Sequence, residues 1–212
     1  MPVPFVGPDA LIFDLDGTLW DAAAASTHGW NLALAELGLP RRVTVDGIRS
    51  VSGRPFPQCV EILLPELSPA PASTLELLES RERTGIELMA GMLYDGVADG
   101  LSRLAERYLL FLVSNCPDWY LEEFFRATGL RDRFTGWDCH GSSGIAKSGM
   151  LLNLAATHRL EHAVYVGDTQ SDRESAEQAD MDFAFVRYGF GRVEGASLAF
   201  AGFSGLVSHY LA

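Results

Sequence analysis

Short apolar segments that alternate with helical patterns constrain the fold of this chain more than any other feature of its sequence. Buried strands are predicted at residues 11–15, 109–115, 163–168 and 182–189, and helical patterns separate the last three of them. Apolar runs of this length are typical of parallel strands that are covered on both faces. A further short strand fits within residues 134–141. The alternation predicts an α/β fold with a Rossmann-like, doubly wound parallel sheet.

Residues 20–90 interrupt this alternation directly after the first predicted strand. The segment carries helical patterns broken by several prolines and shows no convincing strand pattern. It therefore predicts a small, all-helical domain inserted into the α/β core, which residues 1–19 and 91–212 would form. A chain of 212 residues is long enough for a core with such an insertion.

The charge balance of the chain argues against a surface that binds nucleic acid. The formal net charge is −12 and no basic stripe is present, whereas nucleic-acid phosphates require clustered Lys and Arg. No apolar run reaches membrane-spanning length, and we expect no signal peptide because a basic N-terminal region is missing. The widely spaced Cys59, Cys116 and Cys139 indicate reduced thiols and a cytoplasmic location. These features do not predict an oligomeric state.

Polar side chains follow three of the predicted strands, where each strand ends. The residues at these positions are Asp14, Asp16, Gly17, Thr18, Ser114, Asn115, Asp168 and Asp172. Because ligands bind at the carboxyl ends of the strands in such sheets, these residues predict a site along one edge. The single lysine of the chain, Lys147, opens the helix before the third of these strands, which brings it to the same edge.

Four carboxylates at one edge of a sheet require cations to balance them. Two unit charges 4 Å apart interact by about 4 kcal/mol at an effective dielectric constant of 20. Carboxylate oxygens with little histidine or cysteine nearby favour Mg²⁺. We expect Lys147 to supply the second cation and to contact a phosphoryl oxygen, since lysine carries a compact charge on a flexible stem.

Four segments in this order resemble the motifs of the haloacid dehalogenase superfamily. They are FDLDGTLWD, VSN, the lone Lys147 and GDTQSD. The residues after the first motif resemble the small helical cap known as C1, and the closest similarity is to the phosphoglycolate phosphatase-like branch. The segment AKSG departs from the family's frequent lysine–proline pair, which leaves the charge of Lys147 in place.

The resemblance implies a Mg²⁺-dependent phosphatase that acts on a small phosphorylated metabolite. Asp14 would attack phosphorus and form an aspartyl phosphate. Asp16 would protonate the leaving oxygen and then activate water. The metal ion would be held by Asp14, Asp168 and the backbone carbonyl of Asp16, while Asp172 acts through water or orients Lys147. The implied phosphate-binding residues are Gly17, Thr18, Ser114 and Asn115.

Several alternatives remain open from the sequence. Asp16 favours phosphate chemistry over dehalogenation, because halide leaves without a proton. The absence of lysine from residues 20–90 argues against a phosphonatase, whose Schiff base forms on a lysine of the cap, and weakens a sugar phosphomutase. A phosphorylated receiver domain or a binding protein without turnover is a more remote alternative. Trp20 and Arg54 are candidate substrate contacts, and the sequence does not name the phosphomonoester.

Overall fold

The structure, a computed structural model, describes residues 7–39 and 43–212. Its strands alternate with helices as the sequence predicts. The strands are β1 (Ala10–Phe13), β2 (Trp20–Asp21), β3 (Met92–Leu93), β4 (Leu109–Ser114), β5 (Gly136–Cys139), β6 (Ala163–Gly167), β7 (Asp182–Val186) and β8 (Ala199–Phe200). The helices are α1 (Ala23–Glu36), α2 (Val45–Val51), α3 (Phe56–Leu63), α4 (Ala72–Met89), α5 (Val97–Leu104), α6 (Asp118–Thr128), α7 (His140–Ser143), α8 (Lys147–His158), α9 (Gln170–Gln178) and α10 (Phe203–Leu211).

A parallel sheet forms the centre of the molecule and confirms the predicted fold class. Within the described residues it has six strands in the order β5-β4-β1-β6-β7-β8, with every neighbouring pair parallel. Alternate residues of β1 enter separate apolar clusters: Leu11 and Phe13 join one, and Ala10 and Ile12 the other. Burial on both faces explains why the strand is apolar at every position.

The first strand ends earlier than the sequence analysis predicts. β1 stops at Phe13, whereas the apolar run continues to Leu15. The carbonyl of Leu15 accepts hydrogen bonds from the amides of Thr18, Leu19 and Trp20, so it belongs to a turn. Strands β2, β3 and β8 were missed because two residues are too few to show a periodic pattern.

The helical segment leaves and rejoins the sheet domain through a short antiparallel ribbon. Trp20 in β2 pairs with Leu93 in β3. The helices between these strands share their own apolar cluster, which includes Trp30, Leu34 and Leu78. This separate cluster is consistent with an inserted helical domain, and the boundaries at residues 20 and 90 stay a prediction.

Helices α1 and α4 form the closest helix pair of this segment. A Cβ atom at Gly29 would overlap the backbone at Arg81, and one at Gly85 would overlap the carbonyl of Ala25. The two glycines therefore allow the helix backbones to approach closely, which carries residues of α4 toward the sheet edge. Among the described residues, no helix has both the length and the apolar character needed to cross a membrane.

Candidate active site

Three neighbouring strands bring the predicted site residues together at one edge of the sheet. Strand β1 lies between β4 and β6, with Phe13 in register with Leu112 and Val166. Asp14 follows β1 directly, Ser114 ends β4, and Asp168 follows β6. The structure therefore places these polar residues side by side, as the parallel topology requires.

Lys147 links two of the carboxylates at this edge. Its Nζ lies 2.8 Å from Oδ1 of Asp14 and 2.6 Å from Oδ1 of Asp172. All three side chains are almost fully buried. Burial alone would lower the pKa of Lys147, but the two carboxylates outweigh it and raise the pKa well above its usual value. Lys147 therefore stays charged and balances the acidic cluster, as the sequence predicts.

Asp172 uses both of its oxygens to hold the local structure. Besides contacting Lys147, its carboxylate accepts hydrogen bonds from the amide and the hydroxyl of Thr169, at 3.0 and 2.6 Å. The Thr169 hydroxyl accepts in return from the amide of Asp172, which completes a capping box at the start of α9. This arrangement fits a residue that positions Lys147.

Asp14 and Asp168 each keep one buried oxygen that has no hydrogen-bond partner among the described residues. These atoms are Oδ2 of Asp14 and Oδ1 of Asp168. Ligand oxygens of Asp14, Asp168 and Asp172 all lie within 4.8 Å of one another. Burial is the largest cause that raises the pKa of Asp168 well above its usual value, and neighbouring Asp172 and Asp14 add to it. Three carboxylates at this spacing, two of them with an unpartnered oxygen, fit a divalent cation such as Mg²⁺.

The loop after β7 fixes the other oxygen of Asp168. The backbone amides of Phe190 and Gly191 donate to Oδ2 at 2.6 and 3.2 Å. Gly17 lies against the same carboxylate with a φ of +79°, and a Cβ atom there would overlap the Asp168 oxygen. A glycine is therefore required at position 17 by both the backbone conformation and the close approach.

Asp16 lies beside Asp14 in an environment suited to proton transfer. Burial raises its pKa to about 7, while a hydrogen bond from Tyr120 opposes the increase. The Tyr120 hydroxyl donates to Oδ1 of Asp16 at 2.5 Å and fixes its orientation. A carboxyl group with a pKa near neutrality can both donate and accept a proton under physiological conditions. For Asp14, burial raises the pKa to about 6 although Lys147 opposes this.

The predicted phosphate-binding residues differ in how their polar groups are used. The Ser114 hydroxyl accepts from the amide of Cys116 at 3.3 Å, which leaves its own proton to donate. The Asn115 side chain donates to the carbonyl of Gly53 at 2.8 Å and so connects the sheet domain to the helical segment. The amides of Gly17 and Thr18 already donate hydrogen bonds to carbonyls of their own turn. They could bind phosphate only if these hydrogen bonds were broken or became bifurcated. Their phosphate-binding roles stay predictions.

A cavity of about 60 Å³ separates the sheet edge from the helical segment. Asp16, Ser114 and Tyr120 line it from the core, and Arg54 and Glu82 line it from the helical segment. Arg54 lines the cavity, and its role as a substrate contact stays a prediction.

The structure places Trp20 elsewhere. Its side chain is fully buried and packs edge-on against Tyr120 and Phe124, with ring centroids 5.7 and 5.2 Å away. Trp20 therefore packs against Tyr120 within the core and is not among the residues that line the cavity.

Comparison with known proteins agrees with this geometry. The family description "haloacid dehalogenase-like hydrolase" matches residues 8–180. The chain belongs to this family. The resemblance stated from the four motifs is therefore confirmed.

Relatives of this hydrolase include proteins named as phosphatases. It is 30% identical to the N-acetylmuramic acid 6-phosphate phosphatase of Pseudomonas putida over 188 residues, covering 85% of this chain and 83% of the relative. It is 32% identical to the phosphoglycolate phosphatase of Rhodobacter capsulatus over 189 residues, covering 85% of each. The solved structure of a "predicted phosphoglycolate phosphatase" from Haemophilus somnus shares the fold, with a TM-score of 0.83, 20% identity and coverage of 95% and 97%.

Several residues that shape the site of this hydrolase were not predicted from the sequence. Thr169 could have been found, because Thr169 and Asp172 have the spacing of a capping box. Tyr120 and Glu82 carry no such signal, since each reaches the site from a helix that the sequence does not place against it. The loop with Gly189 and Gly191 was not assigned to the site, whereas in the structure the amides of Phe190 and Gly191 hold Asp168.

Proposed function

We propose that this hydrolase is a Mg²⁺-dependent phosphatase that cleaves small phosphomonoesters through an aspartyl phosphate on Asp14. One observation carries the proposal: Asp14 is held by Lys147 through Oδ1, while its second oxygen is buried without a hydrogen-bond partner among the described residues, as is one oxygen of Asp168. A carboxylate fixed at one oxygen and open at the other is suited to act as a nucleophile beside a bound cation. The phosphatase relatives support the same reaction class.

The first half of the reaction moves the phosphoryl group from the substrate oxygen to Asp14. A carboxylate oxygen of Asp14 attacks phosphorus, and the bond to the leaving oxygen breaks. Lys147 and the Ser114 hydroxyl stabilise the negative charge of the phosphoryl oxygens. When bound by Asp14 and Asp168, Mg²⁺ supplies further charge stabilisation there. Asp16 donates its proton to the leaving oxygen, and the free alcohol departs.

The second half hydrolyses the aspartyl phosphate. Asp16, now ionised, accepts a proton from a water molecule as that water attacks phosphorus. The bond between phosphorus and Asp14 breaks, inorganic phosphate forms, and the Asp14 carboxylate and the protonated Asp16 are restored. The hydrogen bond from Tyr120 keeps the Asp16 carboxyl directed toward the cavity through both steps.

We propose small phosphorylated metabolites as the substrates. The cavity holds about 60 Å³, which suits a short leaving group better than a polymer. No contact among the described residues specifically favours the sugar phosphomutase alternative. A mutase would move phosphate between positions of a sugar, and the assay below distinguishes the two outcomes.

The direct test is phosphate release from a panel of phosphomonoesters. The purified protein is assayed with Mg²⁺, with a chelator, and as Asp14→Asn. Asp99→Asn is the matched control, because Asp99 is 80% exposed and distant from the site in sequence. Release that needs Mg²⁺ and Asp14 but not Asp99 supports the proposal. Transfer between sugar positions without release would favour a mutase, and binding without turnover would contradict both.

A further inference from the structure

Glu82 is a buried acid that the proposed mechanism does not use. It lies on α4 and is 8% exposed. Its side chain lines the same cavity as Asp16, on the side that belongs to the helical segment. Acidic side chains are rarely buried to this extent unless they are paired, so its position needs a physical explanation.

No cationic side chain in the described part of the chain forms an ion pair with Glu82. Burial raises its pKa, hydrogen bonds from the side chains of Ser26 and Trp30 oppose this, and Glu79 adds to the increase. Ser26 and Trp30 belong to α1 and line the same cavity. Neither donor supplies a countercharge, so an ionised Glu82 acts on whatever occupies the cavity.

Arg54 is the remaining charged side chain on this wall of the cavity. It is exposed and also lines a neighbouring cleft with Arg49 and Gln170. Arg54 thus lies at the border between the two spaces, whereas Glu82 is buried within one of them. The cavity next to the proton-donating Asp16 is therefore acidic in its buried part.

We propose that Glu82 determines substrate selectivity by hydrogen-bonding a hydroxyl group of the leaving alcohol and by disfavouring a leaving group that ends in a carboxylate. The inference rests on the proposed phosphatase function and names a substrate class for the same site. A hydroxyl can donate to an ionised carboxylate and accept from a protonated one, so it satisfies Glu82 in either state. A carboxylate in the same space repels the ionised form.

Two substrates of equal length test this selectivity. 2-Hydroxyethyl phosphate and phosphoglycolate differ only in a terminal CH₂OH against a carboxylate. We expect the unaltered protein to have a kcat/KM at least about tenfold higher for the hydroxyl compound, since sites that bind a polar group reject analogues that leave it unsatisfied. Glu82→Gln should reduce that ratio about tenfold, chiefly by lowering the KM for phosphoglycolate. The matched control Glu76→Gln changes an exposed acid of the same helix and should leave the ratio unchanged.

The outcomes separate the two proposals. The substrate preference of the unaltered protein can be measured even if a variant fails to fold. A preference for phosphoglycolate would overturn the inference. A ratio that Glu82→Gln leaves unchanged would also overturn it, and loss of phosphoglycolate turnover in Arg54→Gln would assign carboxylate binding to Arg54. In both cases Mg²⁺-dependent release from 4-nitrophenyl phosphate would leave the phosphatase function standing. No release from any of the three esters would overturn the phosphatase function and the inference together.

Discussion

The ammonium group of Lys147 lies 2.6 Å from Oδ1 of Asp172, and both side chains are almost completely buried. The same ammonium lies 2.8 Å from Asp14. A buried ion pair of this kind adds little to the free energy of unfolding compared with apolar packing. Removal of one partner, however, leaves a buried charge uncompensated. The single lysine of the chain is therefore both a structural counterion and a part of the proposed reaction.

Lys147→Met should destabilise the protein and abolish turnover. It leaves Asp14 and Asp172 without their cation, and we expect the free energy of unfolding to fall by about 3–5 kcal/mol. Urea denaturation measures this loss. The double variant Lys147→Met/Asp172→Asn should be more stable than Lys147→Met, because one unbalanced carboxylate is removed. Equal stability of the unaltered and Lys147→Met proteins would contradict the role of Lys147 as counterion.

Tyr120→Phe should lower kcat about tenfold with little change in KM. The variant removes the 2.5 Å hydrogen bond that orients the Asp16 carboxyl and leaves the remaining ring in place. Tyr108→Phe is the control, since its buried hydroxyl donates to the carbonyl of Tyr210 within the core. Steady-state kinetics on both variants distinguish loss of orientation from a general loss of packing. A fall in kcat of the same size in Tyr108→Phe would argue against a specific role for Tyr120.

Gly17→Ala should reduce stability and activity more than Gly96→Ala. Both glycines have a φ near +80°, but a Cβ atom at Gly17 would overlap Asp168, whereas one at Gly96 meets open space. The backbone cost alone is about 1–2 kcal/mol for each, and the clash adds to it only at Gly17. Thermal unfolding and phosphate release compare the two variants. Similar losses in both would show that the contact with Asp168 is unimportant.

The stabilisation that Glu82→Gln gives relative to the unaltered protein should increase as the pH rises. The pKa of Glu82 is raised above its usual value of 4.5 by burial, so the folded state holds this proton more tightly than the unfolded state. Its stability contribution is present below pH 4.5 and is lost as the pH rises through the raised folded-state pKa. Glutamine does not titrate. Denaturation at low and neutral pH should therefore show that the difference in the free energy of unfolding between Glu82→Gln and the unaltered protein grows with pH. A difference that shrinks as the pH rises would contradict the raised pKa of Glu82.

The sheet and its polar edge could be predicted because each depends on local sequence. Residues 109–115 are apolar over most of their length and end in polar residues, and parallel strands bring their carboxyl ends together. Asp14, Ser114 and Asp168 could therefore be assigned to one edge from the amino-acid sequence alone. Lys147 could be added because it begins a helix that enters the same edge.

The contributions of the helices could not be predicted in the same way. Tyr120 and Glu82 reach the cavity from α6 and α4, and their positions depend on how those helices pack. Trp20 illustrates the same difficulty, because its place near the end of the first motif does not reveal whether it faces the core or the cavity. The amides of Phe190 and Gly191 come from a loop whose path is set by tertiary contacts, so no local pattern reports them.

Direct detection of a phosphoryl group on Asp14 is the measurement that tests the central claim. In Asp16→Asn, 4-nitrophenyl phosphate should still phosphorylate the protein, because its leaving group needs no proton, while hydrolysis of the aspartyl phosphate slows without a base. Acid quenching followed by peptide mass spectrometry should place the phosphoryl group on Asp14, and Asp14→Asn should show none. A phosphoryl group on another residue, or rapid phosphate release with no adduct at all, would contradict the account.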